Sequence, residues 1–182
     1  MANHVHSVVE LHEANLKAKE FFARFTSYLD ADNEEADEHA LKYLFGEWKN
    51  ERGWYIDNIG AKWMNFEDWY EDYFATTTAW SPPSELFEAL YQKLFELDPN
   101  VKMSMVYEDE MPNFLGYCAY SGEYSDSEHF DDDDYGDIVE GWKLYEEFDE
   151  DDDDGYHDQM EDLYNMWAEK SQEWITEFFE EE

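Results

Sequence analysis

Cysteine occurs once in 182 residues, as Cys118. An internal disulfide is therefore excluded, and with no motif around it Cys118 reads as a small buried hydrophobe and not a nucleophile. Long apolar runs are missing, and so is a basic segment leading into one. The sequence thus predicts neither a membrane span nor a secretory signal and points to the cytoplasm. Phosphate-binding glycine loops and zinc spacings are absent too, and no carboxylate pair stands out by a histidine partner or a pocket signal, so the reading is non-enzymatic. Cations are scarce. Eleven Lys and Arg face 49 Asp and Glu, for a formal charge of −38.

That imbalance decides which partners are excluded. B-form DNA carries about one charge per 1.7 Å, so 38 charges correspond to on the order of 60 Å of duplex. A compact chain of this length has a radius of gyration of roughly 16 Å. Nucleic acid, anionic membrane and acidic substrates are repelled, whereas a basic protein surface or a cation is attracted. Residues 123–182 hold 26 of the acids against Lys143 and Lys170. Disordered acidic segments are poor in aromatics. This one interleaves its acids with Phe130, Tyr135, Trp142, Tyr145, Phe148, Tyr156, Tyr164, Trp167, Trp174, Phe178 and Phe179. The expectation is an ordered anionic surface. A salt-adapted chain is the plain alternative, but eight Trp, 14 Tyr and 13 Phe exceed what solubility in brine requires.

Along the chain, residues 1–11 alternate as a strand, with His4, His6, Val8, Glu10 and His12 on one face. Three histidines and Glu10 are a candidate transition-metal set, although His12 is expected past the strand end and no second cluster closes it. Asn15 caps a helix to about Leu29 with Ala18, Phe21, Phe22, Phe25 and Tyr28 on one stripe. A second helix is expected over residues 34–49, capped by Asp32 or Asn33, burying Ala40, Leu41, Leu44, Phe45 and Trp48. Residues 50–72 give no clear pattern. Residues 73–80 read as a strand, and Ser81-Pro82-Pro83 starts a helix that stops at Asp98-Pro99. Residues 101–111 and 114–124 should form a hairpin.

This rhythm is that of an α+β, ferredoxin-like antiparallel sheet with packed helices. MANHV at the start, GAKW at residues 60–63, TAWSPP at 78–83 and FLGY at 114–117 resemble the YubB-type ferredoxin-like family of plasmid and bacteriophage proteins. The resemblance covers residues 1–124 and implies a mobile-element origin, with no activity or catalytic residues to carry over. The chain departs from it in a helical insertion near residues 30–50 and in an acidic, mainly helical C-terminal extension, residues 125–182. There a loop holds Asp131 to Asp134, a short helix is expected over 138–148, and a long one from His157 onward with Met160, Leu163, Tyr164, Trp167, Ser171, Trp174, Ile175 and Phe178 on one face. That face either docks on the sheet or grips a partner or a second copy, a homodimer.

Two chemistries compete for the acids. Residues 150–161, EDDDDGYHDQME, follow the spacing of a calcium-binding EF-hand loop. Glu150, Asp152, Asp154, the carbonyl of Tyr156, Asp158 and Glu161 are the ligands, with Gly155 at the turn. Position one is Glu rather than Asp, His157 fills a slot usually aliphatic, and residues 131–142 match a second loop only in part. The other reading is DNA mimicry: carboxylates stand in for phosphates and occupy the basic nucleic-acid-binding surface of a host protein of the restriction, CRISPR-type, recombination or transcription machinery. Its contact residues are Asp131, Asp132, Asp133, Asp134, Glu146, Glu147, Asp149, Glu150, Asp151, Asp152, Asp153 and Asp154, with Tyr135, Tyr145 and Tyr156 beside them. A virion assembly protein using the terminal helix is the third reading.

Overall fold

β1 (His4–Glu13) is the middle of everything else in the molecule. The computed structural model describes residues 3–29, 36–110, 113–138 and 153–182. β1 buries Val5, Ser7, Val9 and Leu11 and turns His4, His6, Val8, Glu10 and His12 to the other side, as its alternation predicts. The strand runs further than expected, and His12 lies on it. Asn15 then caps α1 (Leu16–Ser27): its side-chain oxygen accepts the N–H groups of Lys17 and Ala18 at 2.9 and 3.1 Å. Phe22 and Phe25 are fully buried from this helix.

α2 (Ala36–Phe45) is shorter than its pattern suggested. Gly46 takes φ +80° and donates its N–H to the Lys42 carbonyl. This left-handed stop favours glycine, and it leaves Trp48 outside the helix. The caps expected at Asp32 or Asn33 lie outside the described residues. The unreadable stretch that follows contains α3 (Arg52–Asn58) and β2 (Met64–Trp69). β3 (Tyr73–Ala79) and α4 (Ser84–Leu97) stand where expected.

β4 (Lys102–Asp109) pairs with β5 (Phe114–Ser121) in the expected hairpin. The return strand does not run to Tyr124. Gly122 takes φ +59° as the first residue of a two-residue turn, the position a type II′ turn reserves for glycine. The chain reverses into β6 (Tyr124–Asp131). Tyr91 latches this turn by donating its hydroxyl to the Gly122 carbonyl. The sheet therefore continues across the boundary drawn at residue 124. Asp132–Asp137 form a 3-10 helix in place of the expected loop, and α5 (Asp153–Glu181) closes the chain.

The fold is α+β, with one antiparallel sheet in the order β2-β3-β1-β4-β5-β6. One face carries α1, α2, α3 and α4 over a core of Val5, Val9, Phe22, Phe25, Phe74, Leu90, Met103 and Met105. The other face carries α5, which packs on β4 and β5. Gly116 lets the sheet lie flat beneath an aromatic: Tyr107 is its cross-strand partner, and a Cβ at 116 would sit 2.1 Å from the Tyr107 hydroxyl. That hydroxyl passes over Gly116 to His129 Nδ1, 3.0 Å away on β6.

Candidate functional site

The described residues of the acidic third, 123–138 and 153–182, gather around a second, separate aromatic core. Leu115, Tyr117 and Ala119 from β5 meet Tyr135, Ile138, Leu163, Trp167 and Ile175, all buried. Burial of this much aromatic surface is what holds a helix with so many like charges on the sheet. Four rings form the centre. Phe130 stacks on Trp174 at 5.7 Å and meets Trp167 edge-on at 5.8 Å. Tyr117 lies 6.0 Å from Trp174 and 6.5 Å from Trp167. Trp167 and Trp174 are seven residues apart on α5, two helical turns, so both face the sheet.

The helix is tied to the sheet near its middle and at its C-terminal end. Tyr164 donates its hydroxyl to the Asp109 carbonyl at 2.8 Å. At the C-terminal end Lys102 reaches from β4 to the Phe179 carbonyl at 2.7 Å and lies 5.6 Å from the Phe179 ring. A cation is favourable at a helix C-terminus, and here it answers Glu177, Glu180 and Glu181, which are not. His12 packs on the same ring at 4.9 Å and meets Ser104 Oγ at 2.7 Å. Burial pushes its imidazole below the ordinary value, against the pull of Glu10 and Glu13.

Between β6 and the last turns of α5 lies a groove of about 630 Å³. Phe130, Trp174 and Tyr117 form its floor, while Asp126 and Glu128 on one side and Glu177 and Glu181 on the other bring four carboxylates to it. No cation lines it. Tyr117 donates to Asp126 Oδ2 at 2.6 Å, and burial, with this carboxylate second, pushes its phenol well above the usual range. The few cations are unevenly spread along the chain. Eight of the eleven cations fall between residues 17 and 93, on α1 to α4 and their connections, and α5 and β6 together hold only Lys170.

The predicted contact residues distribute unevenly. Asp131 ends β6 with its carboxylate mostly exposed, 3.5 Å from His129 Nε2. Asp134 is exposed on the 3-10 helix that also contains Asp132 and Asp133. Tyr135 corrects the expectation: it is fully buried, because its ring roots the 3-10 helix in the aromatic core, and it offers no contact surface. Tyr145, Glu146, Glu147, Asp149, Glu150, Asp151 and Asp152 lie outside the described residues, as does the helix expected over 138–148 beyond Ile138. Asp153, Asp154 and Tyr156 lie in the first turns of α5.

The calcium loop is corrected on the same ground. An EF-hand keeps its first nine positions as a loop and takes a main-chain carbonyl at the seventh. Here the helix begins at Asp153, four residues before the expected start at His157, so Asp154, Tyr156, Asp158 and Glu161 are helical. A carbonyl at 156 then belongs to the helical ladder. Acids in the first turn favour this early start. Among the described residues no group of three His, Cys, Asp or Glu is placed to hold a metal ion, the β1 histidines included. Met160, Leu163, Trp167 and Ile175 from the apolar face of α5 are buried in this core, while Tyr164, Trp174, Phe178 and Phe179 are partly buried against it.

Sequence reasoning missed the groove because β6 was missed. Its signal was present: a glycine turn followed by alternation of Tyr124, Asp126, Glu128 and Phe130 against Ser125, Ser127 and His129.

Residues 3–5 and the short motifs at 60–63 and 78–83 converge at one end of the sheet. Trp80 takes φ +75°, unusual for a bulky residue. It donates its N–H to the Asn3 carbonyl at 2.9 Å and lies under Lys62 Nζ at 4.4 Å. Ser81 donates to the Gly60 carbonyl at 2.7 Å, and His4 meets Trp63 edge-on at 5.3 Å. The chain matches no protein-family model and no curated protein. Among the described residues no helix is long and apolar enough to cross a membrane.

Proposed function

We propose that this protein is a non-enzymatic inhibitor of the DNA-mimic type, acting in the cytoplasm of a host cell and binding the basic nucleic-acid-binding surface of a host protein. One observation carries the reading. Asp126 and Glu128 of β6 and Glu177 and Glu181 of α5 stand on backbone that packs over a buried aromatic core, so their spacing is set by the fold as phosphate spacing is set by the duplex. A fixed array meets a basic groove without the entropy cost of ordering a loose acidic tail. The scarcity of cations on β6 and α5, which together hold only Lys170, adds long-range steering toward a positive partner. The strand order β2-β3-β1-β4, with helical connections from β1 to β2 and from β3 to β4, supports a ferredoxin-like reading of the first four strands. That reading agrees with the mobile-element resemblance and with a target among restriction, CRISPR-type, recombination or transcription proteins.

Affinity capture from host lysate at 50 mM and 500 mM salt tests the proposal. The expected result is one basic DNA- or RNA-handling protein, lost at high salt, whose nucleic-acid binding is competed by the purified chain. Conversion of Asp131, Asp132, Asp133 and Asp134 to lysine should abolish the competition. A captured protein that still binds its nucleic acid in the presence of excess chain refutes mimicry.

A further inference from the structure

The sheet has two edges, and they are finished differently. β2 carries a register shift between Phe66 and Asp68, and such a bulge discourages a further strand. β6 pairs with β5 in unbroken register from Tyr124 to Asp131 and contains no proline. A two-residue turn makes Ser121 and Tyr124 a hydrogen-bonded pair, so Asp126 and Glu128 also bond toward β5. The N–H and C=O groups of Ser125, Ser127 and His129 are consequently directed outward. No further strand lies there among the described residues.

We propose that this edge accepts a seventh strand: an extended basic segment of the partner, with Arg or Lys at every second position. The inference rests on the reading that the acidic side meets a basic protein, and it adds the mode of engagement. Charge selects the occupant. A second copy of β6 would bring Asp126 and Glu128 against their own equivalents, which is destabilising, so the edge refuses itself. An added strand would place alternate side chains above the groove between β6 and α5. Side chains on one face of a strand repeat every ~6.8 Å. Glu177 and Glu181, four residues apart on α5, repeat every ~6 Å, and Asp126 and Glu128 share the strand's own repeat. Each cation of the segment thereby reaches a carboxylate from either rim. The Phe130 and Trp174 faces beneath supply cation–π contact, which suits Arg over Lys. Backbone pairing gives affinity, and the alternate charges give specificity.

The probe is a ten-residue capped peptide of alternating Thr and Arg, compared with a block peptide of five Thr and five Arg. Each is titrated calorimetrically into the full chain at 50 mM NaCl. The alternating peptide should bind at least tenfold tighter, and it should slow exchange of the Ser127 and His129 amides tenfold or more. Ser127→Pro removes one outward N–H at an edge position where proline is tolerated. It should cost tenfold in affinity for the alternating peptide with an unchanged circular dichroism spectrum. Equal binding of the two peptides, or absence of amide protection in the unaltered chain, overturns strand addition while leaving the basic-partner reading intact. If neither peptide binds, both fall.

Discussion

Replacement of Trp167 tests whether rings hold the acidic third in place. Its side chain is 1% exposed and touches the rings of Tyr117, Phe130 and Trp174. Trp167→Ala should cost about 3–5 kcal/mol, the usual range for deleting a buried aromatic and leaving a cavity. Among the described residues the indole N–H finds no hydrogen-bond partner, and a buried unsatisfied donor carries a penalty of about 1–3 kcal/mol. Both Trp167→Ala and Trp167→Phe relieve that penalty, but Phe also keeps most of the ring. Trp167→Phe should therefore lie within about 1 kcal/mol of the unaltered chain. For a chain of this size each kcal/mol shifts Tm by about 2–4 °C, so Ala should lower it by about 10 °C and Phe by a few degrees at most. Urea denaturation followed by near-ultraviolet circular dichroism reads the stability, and amide exchange across α5 reads the docking. A loss below about 1 kcal/mol for Trp167→Ala, with α5 exchanging no faster, would show that the rings do not anchor the helix.

Gly116→Ala should destabilise by about 3 kcal/mol through overpacking against Tyr107, and the added change Tyr107→Ala should recover part of the loss in a double-mutant cycle. Lys102→Met should cost about 1–2 kcal/mol, since it removes a charged bond to the last turn of α5; amide exchange should rise over residues 176–181 and not over 160–170. Burial pushes the Glu108 carboxyl above its ordinary value, with His6 pulling the other way. The folded state thus holds that proton more tightly than the unfolded chain. Its contribution to stability is full below the ordinary carboxylate range and is lost as pH rises through the folded value. Glu108→Gln should accordingly gain on the unaltered chain between pH 4 and pH 7 in denaturant titrations, and a flat difference would refute this. His12, depressed by burial, acts oppositely as pH falls through its ordinary value, so only the difference between the two proteins isolates Glu108.

Periodicity made some elements legible and left others hidden. β1, β4, α1 and α4 showed because their buried residues recur at the spacing of one face. β2 was obscured by its bulge and by Glu67-Asp68 at the break, which leave no alternation to follow. β6, rich in Ser and Asp, has little intrinsic strand preference; the type II′ turn and an already formed β5 impose it. Composition misled at residues 150–161, where a chain with so many acids satisfies a calcium spacing while its backbone follows helix-favouring charge at the N-terminus of α5. Tyr135 reads as outward-facing because acids surround it in sequence, although its ring is buried in the aromatic core.

The first strand occupies the centre of the sheet, hydrogen-bonded on one side to β3 and on the other to β4. During synthesis it therefore has no lasting neighbour until residue 79 has left the ribosome, and only one until residue 109 has. At about 5–20 residues per second, its apolar side waits on the order of 5–20 s before both flanks close. The aromatic helix that roots the acids comes later still and settles on a platform already built. A variant that weakens β1 should thus reveal itself first in yield from the cell, before any loss appears in the finished molecule.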